Sequence, residues 1–580
     1  MATEQQLTNG AIADRFELMA DLLELEGAVV YRILAYRRAA KSLRETPESV
    51  ARLSAEGRLT SLPGVGETVA AKVGELLESG EISALDKLVK RNPPGAIVIM
   101  HIPGIGPKTA RRIFSELGLE TVEQVREAAE AKRIRDLGGL GQKTEEAILE
   151  GLKDGDGTPV RRTSIGRLLP LAERIVEELG RCEAVVRCQP AGSLRRFAET
   201  GKDIDIVAAV SNRLTAGEAF VAQEWVAHVA SRGDNRIAAV AHDGTVVELR
   251  MVPPKVYGNL LQHLTGSKHH NVALREAAVR AGLKVSEYGI EEVETGEVLA
   301  CEEEAEVYER LGLEWIPPEL RENRGEIEAA RKGKLPDLLE IGQIRGDLHT
   351  HTDWSDGKAT LEQMVAAARA RGYGYMNVTD HSPAVGFGMG LDAGRLRAQI
   401  ERVRTLAETL APGFVLLVGC EVDILRDGSL DYSDALLEEL DVVVASVHVS
   451  HRLSAADQTK RICTAMENPH MDVLGHPTGR LIGRREPNPL DIEAVVETAV
   501  RTGTVLEASA QPDRLDLSDV HVRLAIEAGA KLSIDTDAHS VARLEAARFG
   551  VMNARRGWAT AADVVNTREW PELKTLLKGG

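Results

Sequence analysis

Between Arg345 and Ser540, imidazole and carboxylate side chains fall in short bursts at the ends of apolar runs. The bursts are Asp347 to His351 (DLHTH), Asp356, Thr379 to Ser382 (TDHS), Gly419 to Ile424 (GCEVDI), Ser446 to His451 (SVHVSH), Leu474 to Arg480 (LGHPTGR) and Ile534 to Ser540 (IDTDAHS). Nine of the 15 histidines lie in this stretch. Neutral imidazole with carboxylate is a ligand set for Zn, Mn and Fe. So many of them at strand ends predict several bound metal ions. His349 and His351 are two apart on a strand and so face one side. Clustered metals lower the pKa of bound water and neutralise phosphate oxygens, which is hydrolytic or phosphoryl-transfer chemistry.

A second concentration of chemistry lies at Ala191 to Val210 (AGSLRRFAETGKDIDIVAAV). Asp203 and Asp205 fall on one face of a strand, and two adjacent carboxylates are costly unless a cation lies between them. Gly192 and Ser193 form a small turn able to cradle phosphates, and Arg195 or Arg196 could pair with them. A third carboxylate, Glu248, lies on the later apolar strand VVELRMV.

A third pattern repeats near the amino terminus: LPGVG (Leu62 to Gly66), IPGIGPKTA (Ile102 to Ala110) and the degenerate LGGLGQKTEEA (Leu137 to Ala147). The pairs Gly64/Gly66 and Gly104/Gly106 sit between amphipathic helices. Glycine permits a tight turn and close backbone approach. The helix that follows offers free N–H groups to a phosphate, with Lys108 nearby. Such a hairpin can grip the DNA backbone without reading sequence; the alternative is a pair of ordinary αα-hairpin turns.

The elements that must position these residues are multidomain. The chain has 580 residues, is 43% apolar and only 3% aromatic, so its cores are aliphatic. A net charge of −18 excludes a generally basic nucleic-acid coat, but not local DNA contacts through backbone amides. Five cysteines without C-x-x-C spacing read as reduced thiols. With no apolar leader and no run long enough for a membrane span, the expectation is a cytoplasmic protein without membrane association. The absence of a sustained heptad suggests a monomer. Residues 1–90 and 91–155 read as helical, with a basic face on the second helix (Arg32, Arg37, Arg38, Lys41, Arg44). Residues from about 160 to 315 read as mixed α and β, and 318–345 as a charged helical connector. Beyond 346, apolar strands alternate with helices in a parallel β/α arrangement.

Together these motifs resemble the bacterial and archaeal branch of the family X DNA polymerases, which carry a C-terminal PHP (polymerase and histidinol phosphatase) domain. The G-S-x-R-R turn followed by D-x-D is similar to that family's nucleotidyltransferase signature. LTGSKHHN (Leu264 to Asn271) and YRILAYRRAA (Tyr31 to Ala40) are similar to it as well. The resemblance implies helix-hairpin-helix domains at 1–90 and 91–155 and an α+β nucleotidyltransferase palm at 160–260. It implies a nucleotide-selection subdomain at 261–317, a linker at 318–345, and a distorted (β/α)7-type PHP barrel at 346–580.

In the palm it implies catalysis by Asp203, Asp205 and Glu248 with Mg2+ or Mn2+. Gly192, Ser193, Arg196, Gly266 and Asn271 would then bind the incoming dNTP. Lys72 matches the lysine that forms a Schiff base with abasic-site sugar in animal members, although Thr68 stands where those members carry a flanking cation. Glu248 replaces the usual Asp, which moves the carboxylate by ~1.5 Å, a displacement able to cost on the order of 10²-fold in rate. His263–Leu264 replaces the aromatic pair that crowds the sugar 2′ position.

In the PHP domain the resemblance groups His349, His351, Glu421 and Asp537 around one metal. Asp356, His381 and His539 hold a second. Glu421, bridging, holds a third with His448 and His476. Two or three Mn2+, Zn2+ or Fe2+ ions are expected, whereas His470 and His521 read as surface residues. The implied function is gap-filling synthesis on gapped or primer-template DNA joined to 3′–5′ exonuclease activity, in base excision repair. The alternatives are a nuclease whose palm serves mainly as a DNA platform, and a small-molecule phosphoesterase.

Overall fold

The computed structural model describes residue 7 and residues 9–46, 48–92, 94–100, 102, 105–152, 162–386 and 389–578. The chain divides into two compact units. The first holds Met1–Arg161, Glu177–Arg187 and Lys202–Met251; the second holds Arg162–Val176, Cys188–Gly201 and Val252–Gly580.

In the first unit, helices Asn9–Leu25 and Val30–Glu45 pair through an apolar stripe of Ile12, Phe16, Met19, Leu23, Ala39 and Leu43, all buried. The basic face expected on the second helix is partly neutralised. Arg44 is buried between Asp14 (2.9 Å) and Glu17 (2.6 Å), and Arg37 pairs with Asp21 (3.1 Å) and Glu24. Acids of the first helix meet these cations, so composition overstated the positive field; Arg32 and Arg38 stay exposed.

The palm sheet is five-stranded. Its strands are β1 (Val185–Pro190), β2 (Asp203–Val210), β3 (Val226–Arg232), β4 (Arg236–Ala241) and β5 (Val246–Val252), in the order β1-β2-β5-β4-β3. Alternation in β2 buries Ile204 and Ile206 and leaves Asp203 and Asp205 half-buried on the other face. On β5, Val247 and Leu249 are buried while Glu248 faces outward beside Ala238 of β4.

In the second unit, helices Tyr257–Thr265 and Lys268–Arg280 precede an antiparallel sheet of β6 (Leu283–Ser286), β7 (Gly289–Glu292) and β8 (Val298–Leu299). Seven parallel strands follow in sequential order: β9 (Gly346–Asp347), β10 (Tyr375–Val378), β11 (Val415–Asp423), β12 (Val442–Ser446), β13 (Val473–Leu474), β14 (Val505–Glu507) and β15 (Leu532–Ser533). Most of these strands are apolar throughout, as expected of parallel strands covered on both faces. The first and last strands of this sheet are not paired with each other, but beyond their ends Thr350 bridges Ala538 in parallel and the His351 N–H donates to the Ala538 carbonyl at 3.0 Å. The parallel β/α arrangement is the one expected from the alternating pattern, and its seven strands are consistent with the distorted (β/α)7-type barrel that the family resemblance implies.

The stretch expected to be a charged helical connector, 318–345, has a different structure. Only Glu326–Arg331 is α-helical, and Arg321, Glu326 and Leu339 are fully buried. Its charges are paired inside the unit. Arg321 makes a two-bond fork with Glu304 (2.6 and 2.9 Å), and Glu326 contacts His270 Nδ1 at 2.7 Å. A charge-rich sequence is a solvated one only when its charges lack internal partners.

Among the described residues no helix is long and apolar enough to cross a membrane. The five cysteines are free.

Candidate active sites

The ligand-type residues of the barrel stand at or just beyond the C-terminal ends of its strands, the edge where barrel enzymes hold their chemistry. His349 and His351 follow β9, His381 follows β10, Glu421 lies near the end of β11, and His448 and His476 follow β12 and β13. Asp537 and His539 follow β15, and Asp356 arrives on the loop after His351. Two of these positions, His476 (φ 26°) and Asp537 (φ 47°), hold left-handed backbone that non-glycine residues seldom adopt. Such strain clusters at functional sites.

Three sets of ligand atoms form, each with all atoms within 4.8 Å of one another: His349, His351, Glu421 and Asp537; His351, Asp356, His381 and His539; and His381, Glu421 and His448. Glu421 is the hub. Its Oε2 lies 3.2 Å from His349 Nε2, 3.4 Å from His351 Nε2 and 3.0 Å from His381 Nδ1. Its Oε1 lies 3.3 Å from His448 Nε2 and 2.9 Å from His476 Nε2. Asp537 Oδ1 lies 3.1 Å from His351 Nε2, and Asp356 Oδ2 lies 3.1 Å from His539 Nε2.

These residues fit divalent metals. His349 Nε2, both ring nitrogens of His351 and Glu421 Oε2 are buried without a hydrogen-bond partner. Leaving such atoms unsatisfied costs roughly 1–3 kcal/mol each, so their convergence makes sense as a coordination site. The donor set of imidazole nitrogen and carboxylate oxygen suits Mn, Fe or Zn.

Behind the ligands stands a layer of carboxylates that no ligand motif singles out. Glu507, at the end of β14, lies 2.8 Å from His349 Nδ1 and accepts the His476 backbone N–H. Asp423 lies 3.4 Å from His448 Nδ1. Asp347 accepts from the Thr536 hydroxyl at 2.5 Å, Asp535 from the Leu348 N–H at 2.8 Å, and Asp380 from Thr352 and Gln399. Asp347, Asp380 and Asp423 sit inside the bursts. Glu507 stands in VLEAS with no histidine nearby, and only its place at a strand end could have flagged it.

The electrostatics follow from burial and opposed charges. Burial pushes the Asp347 and Glu507 carboxyls up. Burial also works against charge on His448 and His539. Glu421 with Asp423 overcomes it at His448, which rises to about 10. Asp356 and Asp537 overcome it at His539, which rises to about 9. At His351 burial prevails, reinforced by His539 and His381, and the imidazole drops to about 3.

Around the barrel site, Arg480 pairs with Glu199 at 2.8 Å, and Arg485 donates to the Gly479 carbonyl. Arg514, which no motif marks, lies 3.7 Å from Asp537. His451 contacts Asn488 at 3.0 Å. His470 and His521, expected at the surface, are only half-exposed.

In the first unit, Glu248 Oε2 accepts from Arg236 at 2.6 Å and lies 3.8 Å from Arg250. In the second, Gly192 (φ 61°) opens the turn that carries Ser193. Arg196 donates to Glu322 at 3.0 Å and to the Thr265 carbonyl. Gly266 (φ 63°) passes so close that an added Cβ would lie 3.4 Å from Arg196 Nη1. Asn271 donates to the His263 carbonyl at 2.7 Å and accepts from Gln262 at 2.9 Å.

Of the hairpin residues, Gly64 is left-handed (φ 78°), and Gly66 and Gly106 are N-caps of the helices Glu67–Ser79 and Pro107–Leu117. Gly104 lies outside the described residues, and Lys108 is exposed. The degenerate third copy has the same form, with Gly139 left-handed and Gly141 capping Gln142–Gly151. Lys72 is half-buried, its Nζ 3.5 Å from the Thr68 carbonyl.

Known families match along the chain: a helix-hairpin-helix domain over residues 7–82, a SAM-like helix-hairpin-helix tandem over 97–154, a DNA polymerase beta thumb over 260–322, and a PHP domain over 347–483. The DNA polymerase/3′-5′ exonuclease PolX of Bacillus subtilis (strain 168) is 38% identical over 564 residues, covering 97% of this chain and 98% of that protein. DNA polymerase lambda of Rattus norvegicus is 25% identical over 345 residues, covering 54% of this chain and 56% of its own length. A probable phosphatase of Thermoanaerobacter sp. (strain X514) is 29% identical over 248 residues, covering 40% of this chain and 94% of its own.

Proposed function

The chain belongs to the family X DNA polymerases that carry a carboxy-terminal PHP domain, and on that premise we propose that it joins gap-filling DNA synthesis to metal-dependent 3′–5′ degradation of DNA, in base excision repair. The observation that carries this reading is the convergence of His349, His351, Asp356, His381, Glu421, His448, Asp537 and His539 into three overlapping ligand sets, on a chain that also bears two matched helix-hairpin-helix regions.

In the barrel, His349, His351, Glu421 and Asp537 hold one divalent ion, and His351, Asp356, His381 and His539 hold another. Glu421 and His448 hold a third with His476, whose Nε2 lies 2.9 Å from Glu421 Oε1, although the tight ligand set around that pair takes His381 rather than His476; Mn2+, Zn2+ and Fe2+ all suit these donors. When bound, such ions supply activated water at neutral pH and neutralise phosphodiester charge. The protein orients them. Glu507 fixes the His349 ring through Nδ1, and Asp423 does the same for His448, which leaves each Nε2 for coordination.

In the palm, Asp203, Asp205 and Glu248 bind Mg2+ or Mn2+, and Glu248 helps activate the primer 3′-hydroxyl. Gly192, Ser193 and Arg196 receive the dNTP triphosphate, and Gly266 and Asn271 also bind the nucleotide. The hairpin N-termini at Gly66 and Gly106, with Lys108, hold the DNA backbone. Lys72 supplies the amine for abasic-sugar chemistry. The protein acts as a cytoplasmic monomer.

A second reading has a specific observation behind it. Glu248 is longer than the family's usual Asp and is engaged by Arg236, which favours a nuclease with a slow palm. Primer extension decides between them: robust Mg2+-dependent synthesis supports the two-activity enzyme, and its absence beside vigorous 3′ degradation supports the nuclease. The helix-hairpin-helix regions weigh against a small-molecule phosphoesterase.

A further inference from the structure

Arg196 is the arginine that the reading above assigns to the dNTP triphosphate, and its side chain already has a carboxylate partner. Arg196 Nε donates to Glu322 Oε1 at 3.0 Å, and Nη1 donates to the Thr265 carbonyl. That same Glu322 oxygen accepts from Arg556 Nη1 at 3.0 Å. Arg556 is the last residue of the helix Ala547–Arg556, which belongs to the carboxy-terminal barrel. Its Nη1 also donates to the Arg196 backbone carbonyl at 2.6 Å, and its Nη2 to Asp519 at 2.9 Å. Arg324 donates to the same Asp519 oxygen at 2.9 Å.

Arg556 therefore touches Arg196 in two ways: directly at its main chain, and through a shared carboxylate at its side chain. Burial opposes ionisation of Glu322, but Arg196 and Arg556 overcome it and hold the carboxyl below its usual range. Glu322 is thus an anion already seated on the guanidinium that a phosphate would take.

We infer that Arg556, a residue of the barrel remote in sequence from the palm, is a positioning residue for the nucleotide-binding turn of the polymerase. Its bond to the Arg196 carbonyl fixes the turn. Its bond to Glu322 keeps that carboxylate charge-balanced when Arg196 exchanges it for a triphosphate oxygen. Without Arg556, Glu322 would keep Arg196 as its strong partner, because a half-buried carboxylate stripped of its only remaining cation is penalised. A phosphate would then have to displace a tighter pair. The inference rests on the nucleotide role proposed for Arg196.

The test measures the dNTP KM and kcat of primer extension, and 3′ degradation, on the same preparations. The proteins are wild type, Arg556→Ala, Arg556→Lys, Glu322→Gln, and Arg556→Ala combined with Glu322→Gln. Arg556→Ala is expected to raise the dNTP KM about 10-fold, the size of one charge-assisted hydrogen bond. Its kcat and 3′ degradation stay within about twofold of wild type, the scatter of independent sites. Arg556→Lys falls between, since lysine keeps the charge but not the fork. Adding Glu322→Gln to Arg556→Ala removes the competing anion and brings KM back toward wild type.

Three results would overturn the inference: an unchanged KM in Arg556→Ala, a parallel loss of KM, kcat and nuclease as from a loosened fold, or a double variant no better than the single. If Arg556→Ala does not fold, the intermediate KM of Arg556→Lys carries the test, and a wild-type value there overturns it. A wild type that neither extends primers nor binds dNTP refutes the nucleotide reading itself, and the wild-type arm alone reveals this.

Discussion

His349 Nδ1 lies 2.8 Å from Glu507 Oε1, and both side chains are fully buried. The contact fixes which nitrogen of the imidazole faces the ligand cluster, because a ring that donates through Nδ1 presents Nε2 as a lone pair. His349 Nε2 points to Glu421 at 3.2 Å. Glu507 also accepts the His476 backbone N–H, so one carboxylate orients two ligand positions.

Replacing Glu507 with Gln should therefore weaken metal binding although Glu507 is in none of the ligand sets. Loss of such an outer carboxylate typically costs 10–100-fold in metal affinity or activity. Titration of the chelated variant with Mn2+, read by calorimetry, is expected to show a rise in Kd of about that size. A Kd equal to wild type would mean that Glu507 only fills space.

The two sites should be separable. His351 takes part in two of the three ligand sets, so His351→Ala should lower 3′ degradation by at least ~10²-fold while primer extension survives. Asp205→Ala should lower extension by at least ~10²-fold and spare degradation. Assaying both activities on each variant checks this; loss of both from either single change, in a folded protein, refutes two independent sites.

Gly66 and Gly106 offer a test that ordinary packing would fail to notice. An added Cβ at either position meets nothing within 4 Å, and their φ values of −85° and −83° suit any L-residue. Gly66→Val and Gly106→Val should thus fold normally. The branched side chain would nevertheless hold a phosphate away from the helix N–H groups, and each substitution should weaken DNA binding on the order of 10-fold. Lys108→Ala should lower the salt slope of binding by about one. Fluorescence anisotropy with gapped DNA reads both effects. Unchanged affinity in the two glycine variants would make these hairpins plain connections.

The metal-free protein should lose stability as pH rises. His448 and His539 are raised from 6.5 to about 10 and about 9. A group raised on folding contributes stability that is complete below its unfolded value and disappears as pH passes its folded value. Asp347 and Glu507, pushed up by burial, act in the same direction. Metal uptake must also expel these protons, so apparent metal affinity should climb with pH. Thermal melts of chelated protein from about pH 7.5, above which His351 and the other histidines depressed by burial carry no proton folded or unfolded, to about 9.5 should show a falling Tm, and melts of Mn2+-loaded protein a much flatter one. A chelated Tm that rises over this window would contradict the charge assignment.

Much of the barrel was legible because its chemistry and its pattern coincide. Apolar runs such as Val442–Ser446 end in histidine or carboxylate, and burial on both faces leaves a parallel strand little choice but to be apolar throughout. The hairpins were legible because Gly64 and Gly139 adopt backbone that favours glycine. What stayed hidden depends on pairing across long stretches of chain. Glu507 reads as one acid among 89 Asp and Glu residues until the fold sets it against His349. The stretch around Arg321 and Glu326 looked solvated, because its partners Glu304 and His270 lie 17 and 56 residues away. The second helix looked more basic than it is, because Asp14 and Glu17 on the first helix neutralise Arg44.

The most direct measurement is the metal content of the full-length purified protein, paired with degradation of 3′-labelled DNA before and after chelation. The account predicts about two to three divalent ions per chain, loss of the 3′ label in the presence of Mn2+, and abolition of that loss when the ions are stripped. A folded protein that takes up no ion from saturating Mn2+ and leaves DNA ends intact would contradict it.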